Sequence, residues 1–212
     1  GSDLSFDQIE KDHYATIIAT GVYKSRELGD ISTNMENVVK AIDYLSASNR
    51  KGFGDAVIEF DNGKLNFNGK KVVVIGGGDT AMDCVRTAVR QGARSVKCLY
   101  RRDRNNMPGS QREVQNAEEE GVEFVWLSSP KGFVGGKVMK GVKVSNMRLG
   151  LVDATGRQFP EEIEDSSYIE DADVVIKALG FDPENIKVLW NYPEIETTRW
   201  GTIKTDFQTH ST

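Results

Sequence analysis

The sequence predicts an α/β fold with a Rossmann-like, doubly wound parallel sheet and an antiparallel β-meander. Three observations predict this class. Apolar strands alternate with helical stretches between residues 70 and 126, which is typical of parallel strands connected through helices. Three consecutive glycines, at 76–78, join the first of these strands to the first helix. Beyond residue 138, apolar and polar residues alternate around a predicted turn at 153–156, as in an antiparallel hairpin.

The overall composition narrows the class of protein. Of the 212 residues, 38% are hydrophobic and 28% are charged, which is typical of a water-soluble globular protein. No apolar run is long enough to cross a membrane, so we expect no membrane span and a cytoplasmic location. The net charge of -5 argues against nucleic acid as the main partner. The two cysteines, Cys84 and Cys98, lack the spacing of a metal or iron–sulfur motif and are expected to be small buried residues.

Two elements are predicted before the glycine turn. The apolar run at 14–20 predicts a short buried strand that is ended by Gly21. Residues 34–45 carry apolar side chains at helical spacing and predict a helix. Residues 46–70 are rich in Ser, Asn, Gly and Lys and are expected to form a connection.

The central part of the chain has the clearest pattern. Residues 72–75 are apolar throughout, which predicts a strand at the centre of the sheet with helices covering both of its faces. An amphipathic helix follows and ends at Gly92. Residues 95–100 are the second predicted strand. Residues 110–113 have the spacing of a capping box, and the helix that they begin leads to a third strand at 122–126.

The pattern changes in the last third of the chain. Residues 138–149 and 157–159 predict the meander, and the six acidic side chains within 161–171 predict a solvated loop or edge. Residues 173–178 return to a buried strand. Like the run at 14–20, this strand ends in an Ala-x-Gly pattern, whose small residues allow the backbone to approach a ligand.

The glycine turn has the pattern of a dinucleotide-binding site. Gly76 permits a tight exit from the strand, Gly78 leaves room for a pyrophosphate, and Ala81 allows close packing of helix on strand. The first N–H groups and the positive dipole end of the helix then bind the phosphate charge. Gly77 completes the glycine run. A lone motif of this type is weak, but here a strand precedes it and a helix follows it, as the chemistry requires.

Two polar residues in this turn have open alternatives. Thr80 either donates its hydroxyl to phosphate or caps the helix. Asp79 either caps the helix or reaches past the phosphates, because a carboxylate beside a pyrophosphate repels it.

The end of the second strand indicates which dinucleotide is bound. An NAD site places a carboxylate here to hold the ribose 2′-hydroxyl, but this sequence has Arg101 and Arg102, with Arg104 as a third cation. Because guanidinium groups pair with phosphate, a 2′-phosphate and therefore NADP are expected. Tyr100 or an arginine face is expected to stack on adenine. The structural alternative is a solvated basic loop that balances nearby acidic residues.

No acid–base machinery for chemistry on a small substrate is evident in the sequence. His13 and His210 lie near the ends of the chain and are expected at the surface. A dinucleotide site without such groups suits hydride transfer to another cofactor, for which the protein provides orientation.

Five stretches resemble the small (beta) subunits of bacterial NADPH-dependent glutamate synthases, and the resemblance covers essentially the whole chain. They are Gly76-Gly-Gly-Asp-Thr-Ala-Met-Asp83, Tyr100-Arg-Arg-Asp103 with Asn106-Met-Pro-Gly109, Glu118-Glu-Glu-Gly121-Val-Glu123 and Ala178-Leu-Gly-Phe181. The resemblance implies that NADPH binds at the glycine turn and its arginines, with Ala178, Leu179 and Gly180 also at the cofactor. Hydride then passes to FAD, and electrons pass through iron–sulfur clusters to the large (alpha) subunit for glutamate synthesis from glutamine and 2-oxoglutarate.

The sequence departs from the family pattern at both ends. Cysteines for the iron–sulfur clusters and the first glycine turn that holds FAD are absent from these residues. We therefore expect an NADPH domain at 70–180, a remnant of the FAD domain at 1–33, a connecting helix and linker at 34–69, and a return segment at 181–212. Gly-Ser at the start is typical of residues left by cloning. Such a chain is expected to bind NADPH, to retain no FAD and to be inactive alone.

Several other functions stay open on the sequence. Dihydropyrimidine dehydrogenases and ferredoxin:NADP oxidoreductases share the same NADPH module, so either is an alternative to glutamate synthase. A non-catalytic NADP-binding module is a further alternative. A short-chain reductase is disfavoured, because the Tyr-x-x-x-Lys pair of that class is missing.

Overall fold

The computed structural model describes residues 3–29, 31, 34–152, 156 and 158–209. Its helices and strands follow in chain order: α1 (Phe6–Asp12), β1 (Lys24–Ser25), β2 (Val38–Lys40), α2 (Ala41–Gly52), α3 (Ile58–Asp61), β3 (Lys71–Ile75), α4 (Asp79–Arg90), β4 (Ser95–Tyr100), α5 (Gln111–Glu119), β5 (Glu123–Trp126), β6 (Ser128–Gly135), β7 (Met139–Val152), β8 (Gln158–Glu162), β9 (Tyr168–Asp171), β10 (Val174–Lys177), β11 (Phe181–Asp182) and α6 (Ile186–Leu189).

The chain divides into two compact units. Glu27–Gly180 forms the larger one, and Gly1–Arg26 with Phe181–Thr212 forms the smaller one. Among the described residues, none of the helices is both long and apolar enough to span a membrane.

A five-stranded parallel sheet is the framework of the larger unit. Its strand order is β2-β10-β3-β4-β5, and all four neighbouring pairs run parallel. Side chains of β3 alternate between two buried clusters, with Val72 and Val74 in one and Val73 and Ile75 in the other. The Rossmann-like parallel sheet predicted from the sequence is therefore confirmed.

The two faces of this sheet are covered differently. Apolar side chains of α2, α4 and α5 pack on the face that carries Val72 and Val74. Strand β7 contributes Met139, Val142 and Val144 to the cluster on the other face. The prediction of helices on both faces was therefore wrong, because an apolar strand indicates only that both faces are covered, not what covers them.

The predicted antiparallel meander is confirmed. Strand β7 pairs antiparallel with β6, β8 and β9. The acidic stretch 161–171, which was expected to be a loop or edge, contains the end of β8 and all of β9. Three residues of the predicted turn, 153–155, lie outside the described residues.

The helix predicted at 34–45 is only partly correct. Residues 38–40 form strand β2, and helix α2 extends from Ala41 to Gly52, into the expected connection, which also contains α3. The Asn37 side chain fixes the start of β2: its amide nitrogen donates to the carbonyls of Met139 and Asp173, and its oxygen accepts from the Met139 N–H. Strand β2 pairs with β10, which is distant in the sequence. This pairing, rather than local helical spacing, decides the structure of residues 38–40.

In the smaller unit, the strand predicted at 14–20 is absent. These residues are not in a regular element, and Ile17 is 92% exposed. An extended run becomes a strand only when another strand satisfies its backbone groups. Among the described residues of this unit, regular pairing is limited to β1 with β11 and one isolated bridge. Helix α1 is capped by Ser5, and Phe6 stacks on Trp190 with ring centroids 5.2 Å apart.

Candidate functional site

The glycine turn lies at a reversal in the order of the parallel strands. From β3 the chain continues to β4 and β5 on one side, whereas its other neighbour, β10, belongs to the later part of the chain. The carboxyl ends of two such strands form a crevice, which is where ligands bind in open α/β sheets. Gly76 and Ala178 follow the two strands and meet at this point: the Ala178 N–H donates to the Ile75 carbonyl at 2.9 Å.

Gly76 cannot carry a side chain in this arrangement. Its φ angle is +146°, and a Cβ atom would lie 2.2 Å from the carbonyl oxygen of Ala178. Its N–H donates to the Leu99 carbonyl at 3.2 Å, and its carbonyl accepts from the thiol of Cys98 at 3.3 Å. The first glycine of the motif is therefore required by the packing of three strand ends.

Gly77 is also required by packing. A Cβ atom at this position would lie 2.4 Å from the ring of Tyr100. Tyr100 is 7% exposed, and its hydroxyl donates to the Asn106 carbonyl at 2.9 Å. The tyrosine ring therefore packs against the backbone of the turn. It does not offer the exposed face for adenine stacking that the sequence suggested.

Gly78 has open space around it. Apart from Gly78 itself and its two chain neighbours, no residue has an atom within 4 Å of the position that a Cβ atom would take. Gly78 is the N-cap of α4, and its carbonyl accepts from the N–H groups of Ala81 and Met82 at 2.9 and 3.2 Å. The N–H groups of Asp79 and Thr80 have no intrahelical acceptor, as at any helix start, and can bind an anion. Ala81 is fully buried.

The Asp79 carboxylate holds the loop that carries the arginines. Its Oδ1 atom accepts from the backbone N–H of Ser110 at 3.0 Å. Beside it, the Gly109 N–H donates to the Gly77 carbonyl at 2.9 Å. Two hydrogen bonds therefore join the glycine turn to the loop between β4 and α5. The Asp79 carboxylate belongs to α4 but accepts a backbone hydrogen bond at the start of α5.

The capping box predicted at the start of α5 is not formed. Ser110 is the N-cap residue, but its side chain makes no capping hydrogen bond. Glu113 instead forms an ion pair with Arg86 of α4. The backbone N–H of Ser110 obtains its acceptor from Asp79, a residue distant in sequence, which the capping-box spacing cannot indicate.

The three arginines lie on one loop but in different environments. Arg101 is exposed, and its guanidinium group has no hydrogen-bond or ion-pair partner among the described residues. Arg102 is buried, and its Nε donates to the Gln158 carbonyl at 2.7 Å. The Nη1 of Arg104 lies 2.9 Å from both carboxylate oxygens of Glu118. Arg101 is therefore the cation best placed to receive a new anionic partner.

Asn106 organises this loop, a role that the sequence reasoning missed. Its backbone N–H and its side-chain amide both donate to Oδ1 of Asp103, at 2.9 and 2.7 Å. Its own side-chain oxygen accepts from the Gln158 N–H at 2.9 Å. The spacing of Asp103 and Asn106 in the sequence could have indicated this turn, because Asp and Asn side chains often form hydrogen bonds with backbone groups within turns.

The last candidate residues follow β10. Ala178 is buried beside Gly76, whereas Leu179 and Gly180 are half-buried. Gly180 has a φ angle of +84°, which favours glycine. The structure thus brings these three residues to the same edge of the sheet as the glycine turn.

A cluster of charges at this edge was also missed. The Lys177 side chain is 10% exposed and forms an ion pair with Glu27, while Lys40 lies 3.5 Å from the same carboxylate. The hydrogen bond from Lys177 lowers the pKa of Glu27 below its ordinary value. The lysine within an otherwise apolar strand could have indicated this cluster, because a buried charge needs a partner.

Burial holds the two cysteine thiols of the larger unit in the protonated form. Burial raises the pKa of Cys98 to about 12 and also raises that of Cys84, so both thiols stay protonated and behave as small core residues, as predicted. Burial, with the nearby carboxylates of Glu113 and Asp79, raises the pKa of Asp83. His13 is exposed in the smaller unit, and His210 lies outside the described residues.

Comparison with known proteins gives close relatives. A family model described as pyridine nucleotide-disulphide oxidoreductase matches residues 7–212. Over 212 residues the chain is 64% identical to a putative glutamate synthase [NADPH] small chain of Cereibacter sphaeroides and 55% identical to the glutamate synthase [NADPH] small chain of Azospirillum brasilense. These alignments cover 100% of this chain but 51% and 44% of the two relatives, so the chain spans about half their length. The predicted resemblance to glutamate synthase small subunits is confirmed.

A solved structure supports the fold. The oxidoreductase FprA of Mycobacterium tuberculosis, in complex with NADPH, superimposes with a TM-score of 0.68, covering 84% of this chain and 52% of FprA. The sequences are 15% identical, so the similarity supports the fold alone.

Proposed function

The chain belongs to the pyridine nucleotide-disulphide oxidoreductase family, and from this premise we propose that it is the NADPH-binding, electron-input module of an iron–sulfur flavoprotein. The open space at Gly78, in front of the first N–H groups of α4, is the observation that carries the proposal. It suits the pyrophosphate of a dinucleotide. Gly76, Gly77, Thr80 and Ala81 are the proposed surroundings of the bound cofactor.

The arginine loop supports NADPH over NADH as the donor. Arg101 is exposed at the carboxyl end of β4, where an NAD site would carry a carboxylate. Its guanidinium group suits a 2′-phosphate, because such pairs form two charge-assisted hydrogen bonds. Arg102 and Arg104 are proposed to add positive charge around the same phosphate.

We propose that the chain's role in the reaction is orientation. When bound, NADPH would supply a hydride for transfer to FAD. The glycine turn and α4 hold the pyrophosphate, the arginine loop holds the adenosine end, and residues Ala178–Gly180 approach the cofactor from β10. FAD and the iron–sulfur clusters are proposed to belong to other parts of a longer protein, with the smaller unit of this chain contributing to its FAD domain.

The proposed physiological reaction is glutamate synthesis from glutamine and 2-oxoglutarate. Two relatives with 64% and 55% identity carry the name of glutamate synthase small chains, which supports this choice over other electron acceptors. The implied partner is the large (alpha) subunit, and the proposed location is the cytoplasm. NADPH-dependent glutamate formation by the complete small subunit with the large subunit tests this step. Reduction of ferredoxin or a pyrimidine instead would favour the other members of this class.

Calorimetric titration with NADPH and NADH tests the cofactor site. We expect Arg101→Ala to weaken NADPH binding about tenfold, the value of one charged hydrogen-bonded pair, and to leave NADH binding within about twofold. Arg94 is a matched control, because it is equally an exposed arginine but precedes β4 at the opposite edge of the sheet. Arg94→Ala should change neither affinity. Equal weakening of NADPH and NADH by Arg101→Ala would contradict the 2′-phosphate assignment.

A further inference from the structure

Glu118 of α5 forms an ion pair with Arg104, which lies on the loop between β4 and α5. Both of its carboxylate oxygens lie 2.9 Å from Nη1 of Arg104. The side chains are 43% and 36% exposed for Arg104 and Glu118, respectively. The pair is therefore reachable from solvent, and a soluble anion can compete with the carboxylate for the guanidinium group.

A second contact keeps Arg104 in place. Its Nε donates to Oε1 of Gln111 at 3.3 Å, and Nε2 of Gln111 donates back to the Arg104 carbonyl at 3.0 Å. Gln111 and Glu118 lie on the same helix, and together they hold the guanidinium group against α5. Gln111 is neutral, so the charge that opposes Arg104 comes from Glu118.

A carboxylate and a phosphate bind guanidinium in the same way, through oxygen atoms placed against its N–H groups. With Glu118 paired to it, part of the positive charge that Arg104 brings to the loop is cancelled. A 2′-phosphate must therefore either displace this carboxylate or bind beside it and accept its repulsion. In both cases the charge of Glu118 opposes the binding of the phosphate.

We propose that Glu118 is a specificity-determining residue that competes with the 2′-phosphate of NADPH for Arg104. This inference rests on the proposed NADPH site. Glu118 lowers the affinity for NADPH and leaves that for NADH unaffected, since NADH has no phosphate at this position. The preference between the two cofactors is thus set by a balance between the loop arginines and one carboxylate, and it is smaller than the arginines alone would give.

Replacing Glu118 with glutamine isolates the charge. Glutamine has the same shape and retains an oxygen that accepts from Arg104, so the loop keeps its position. We expect Glu118→Gln to tighten NADPH binding about threefold to tenfold, as for the removal of one partly exposed charge, and to leave NADH binding unchanged. Weaker or unchanged NADPH binding in this variant would overturn the proposal.

Two further variants separate local from general effects. Glu119 is the next residue on α5, and its carboxylate accepts from Gln115 rather than from the arginine loop. Glu119→Gln removes the same charge and should change NADPH binding less than twofold. If it tightens NADPH as much as Glu118→Gln does, the effect is one of overall charge and the proposal fails.

The double variant tests the route through Arg104. In an Arg104→Ala background, Glu118→Gln should no longer tighten NADPH binding, because the group for which it competes is gone. Tightening that persists in the Arg104→Ala background would contradict competition for Arg104.

If the unmodified chain binds NADPH no better than NADH, the proposed 2′-phosphate site itself fails. If it prefers NADPH but Glu118→Gln has no effect, this inference alone fails.

Discussion

The ring of Tyr100 lies directly beneath Gly77, so close that a Cβ atom on the glycine would approach the ring to 2.4 Å. The ring has no freedom to retreat, because Tyr100 is buried and its hydroxyl is bonded to the Asn106 carbonyl at 2.9 Å. The middle glycine of the turn is thus fixed by the core below it, whereas the third glycine, Gly78, faces open space. The two positions should respond differently to the same substitution.

Gly77→Ala is expected to destabilise the fold. The added methyl group must displace the Tyr100 ring or the turn, which costs about 1–3 kcal/mol of the free energy of unfolding. Urea unfolding followed by circular dichroism measures the change. Gly78→Ala is the control, since its backbone is extended and no atom beyond its chain neighbours lies within 4 Å of the new methyl group. It should lose less than about 1 kcal/mol, because alanine is a poorer N-cap residue than glycine. A loss in Gly78→Ala as large as that in Gly77→Ala would contradict the packing argument.

Gly78→Val is expected to remove cofactor binding without unfolding the protein. The side chain would extend into the space proposed for the pyrophosphate, and both NADPH and NADH carry this group. Affinity for both should fall at least about 100-fold, while the free energy of unfolding falls by about 1 kcal/mol, because valine is a poorer N-cap residue than glycine. Calorimetric titration and urea unfolding of one sample measure both quantities. Undiminished binding of either cofactor would refute the role of the turn.

Short-range patterns in this chain predicted the centre of the fold well. The run Val72–Ile75, the glycines after it and the helix to Arg90 are contiguous, so strand, turn and helix could be recognised from local spacing. The two cysteines were also predicted as buried, because each lies within an apolar pattern. These features depend on neighbours in the sequence.

Features that depend on distant residues were missed. Val38 and Val39 form a strand because they pair with β10, and local helical spacing gave no indication of that partner. Ser110 receives its hydrogen bond from Asp79, so the capping box predicted from spacing is not formed. Tyr100, or else an arginine face, was expected to stack on adenine. The strand pattern cannot reveal that the Tyr100 ring turns inward against Gly77.

Asp79 is expected to stabilise the junction between the glycine turn and α5. Asp79→Ala removes the acceptor of the Ser110 N–H, which should cost about 1 kcal/mol of the free energy of unfolding, as for the loss of a helix cap. Asp79→Asn keeps an oxygen in the same place and should lose less than half as much. Thermal or urea unfolding measures both. An equal loss in both variants would mean that the charge of Asp79, rather than its hydrogen bond, stabilises the junction.

The link between α4 and α5 is expected to give stability that depends on pH. Glu120 accepts from Arg90 Nη2 at 2.7 Å and from Arg86 Nε at 2.9 Å, and the hydrogen bonds from Arg90 and then Arg86 hold its pKa below its ordinary value of 4.5. A carboxyl group with a lower pKa in the folded than in the unfolded protein stabilises the folded state above its unfolded pKa. That stabilisation is lost as the pH falls through the folded pKa.

Glu120→Gln should therefore destabilise the protein at neutral pH. The difference from the unmodified chain should shrink as the pH falls through the lowered pKa of the folded Glu120 carboxyl group, below which this group is protonated in both states. Urea unfolding at a series of pH values measures this difference. Glu119→Gln is the control at the neighbouring position, because Glu119 accepts from the neutral Gln115 side chain. A difference for Glu120→Gln that stays constant down to low pH would show that the side chain acts through packing rather than through its charge.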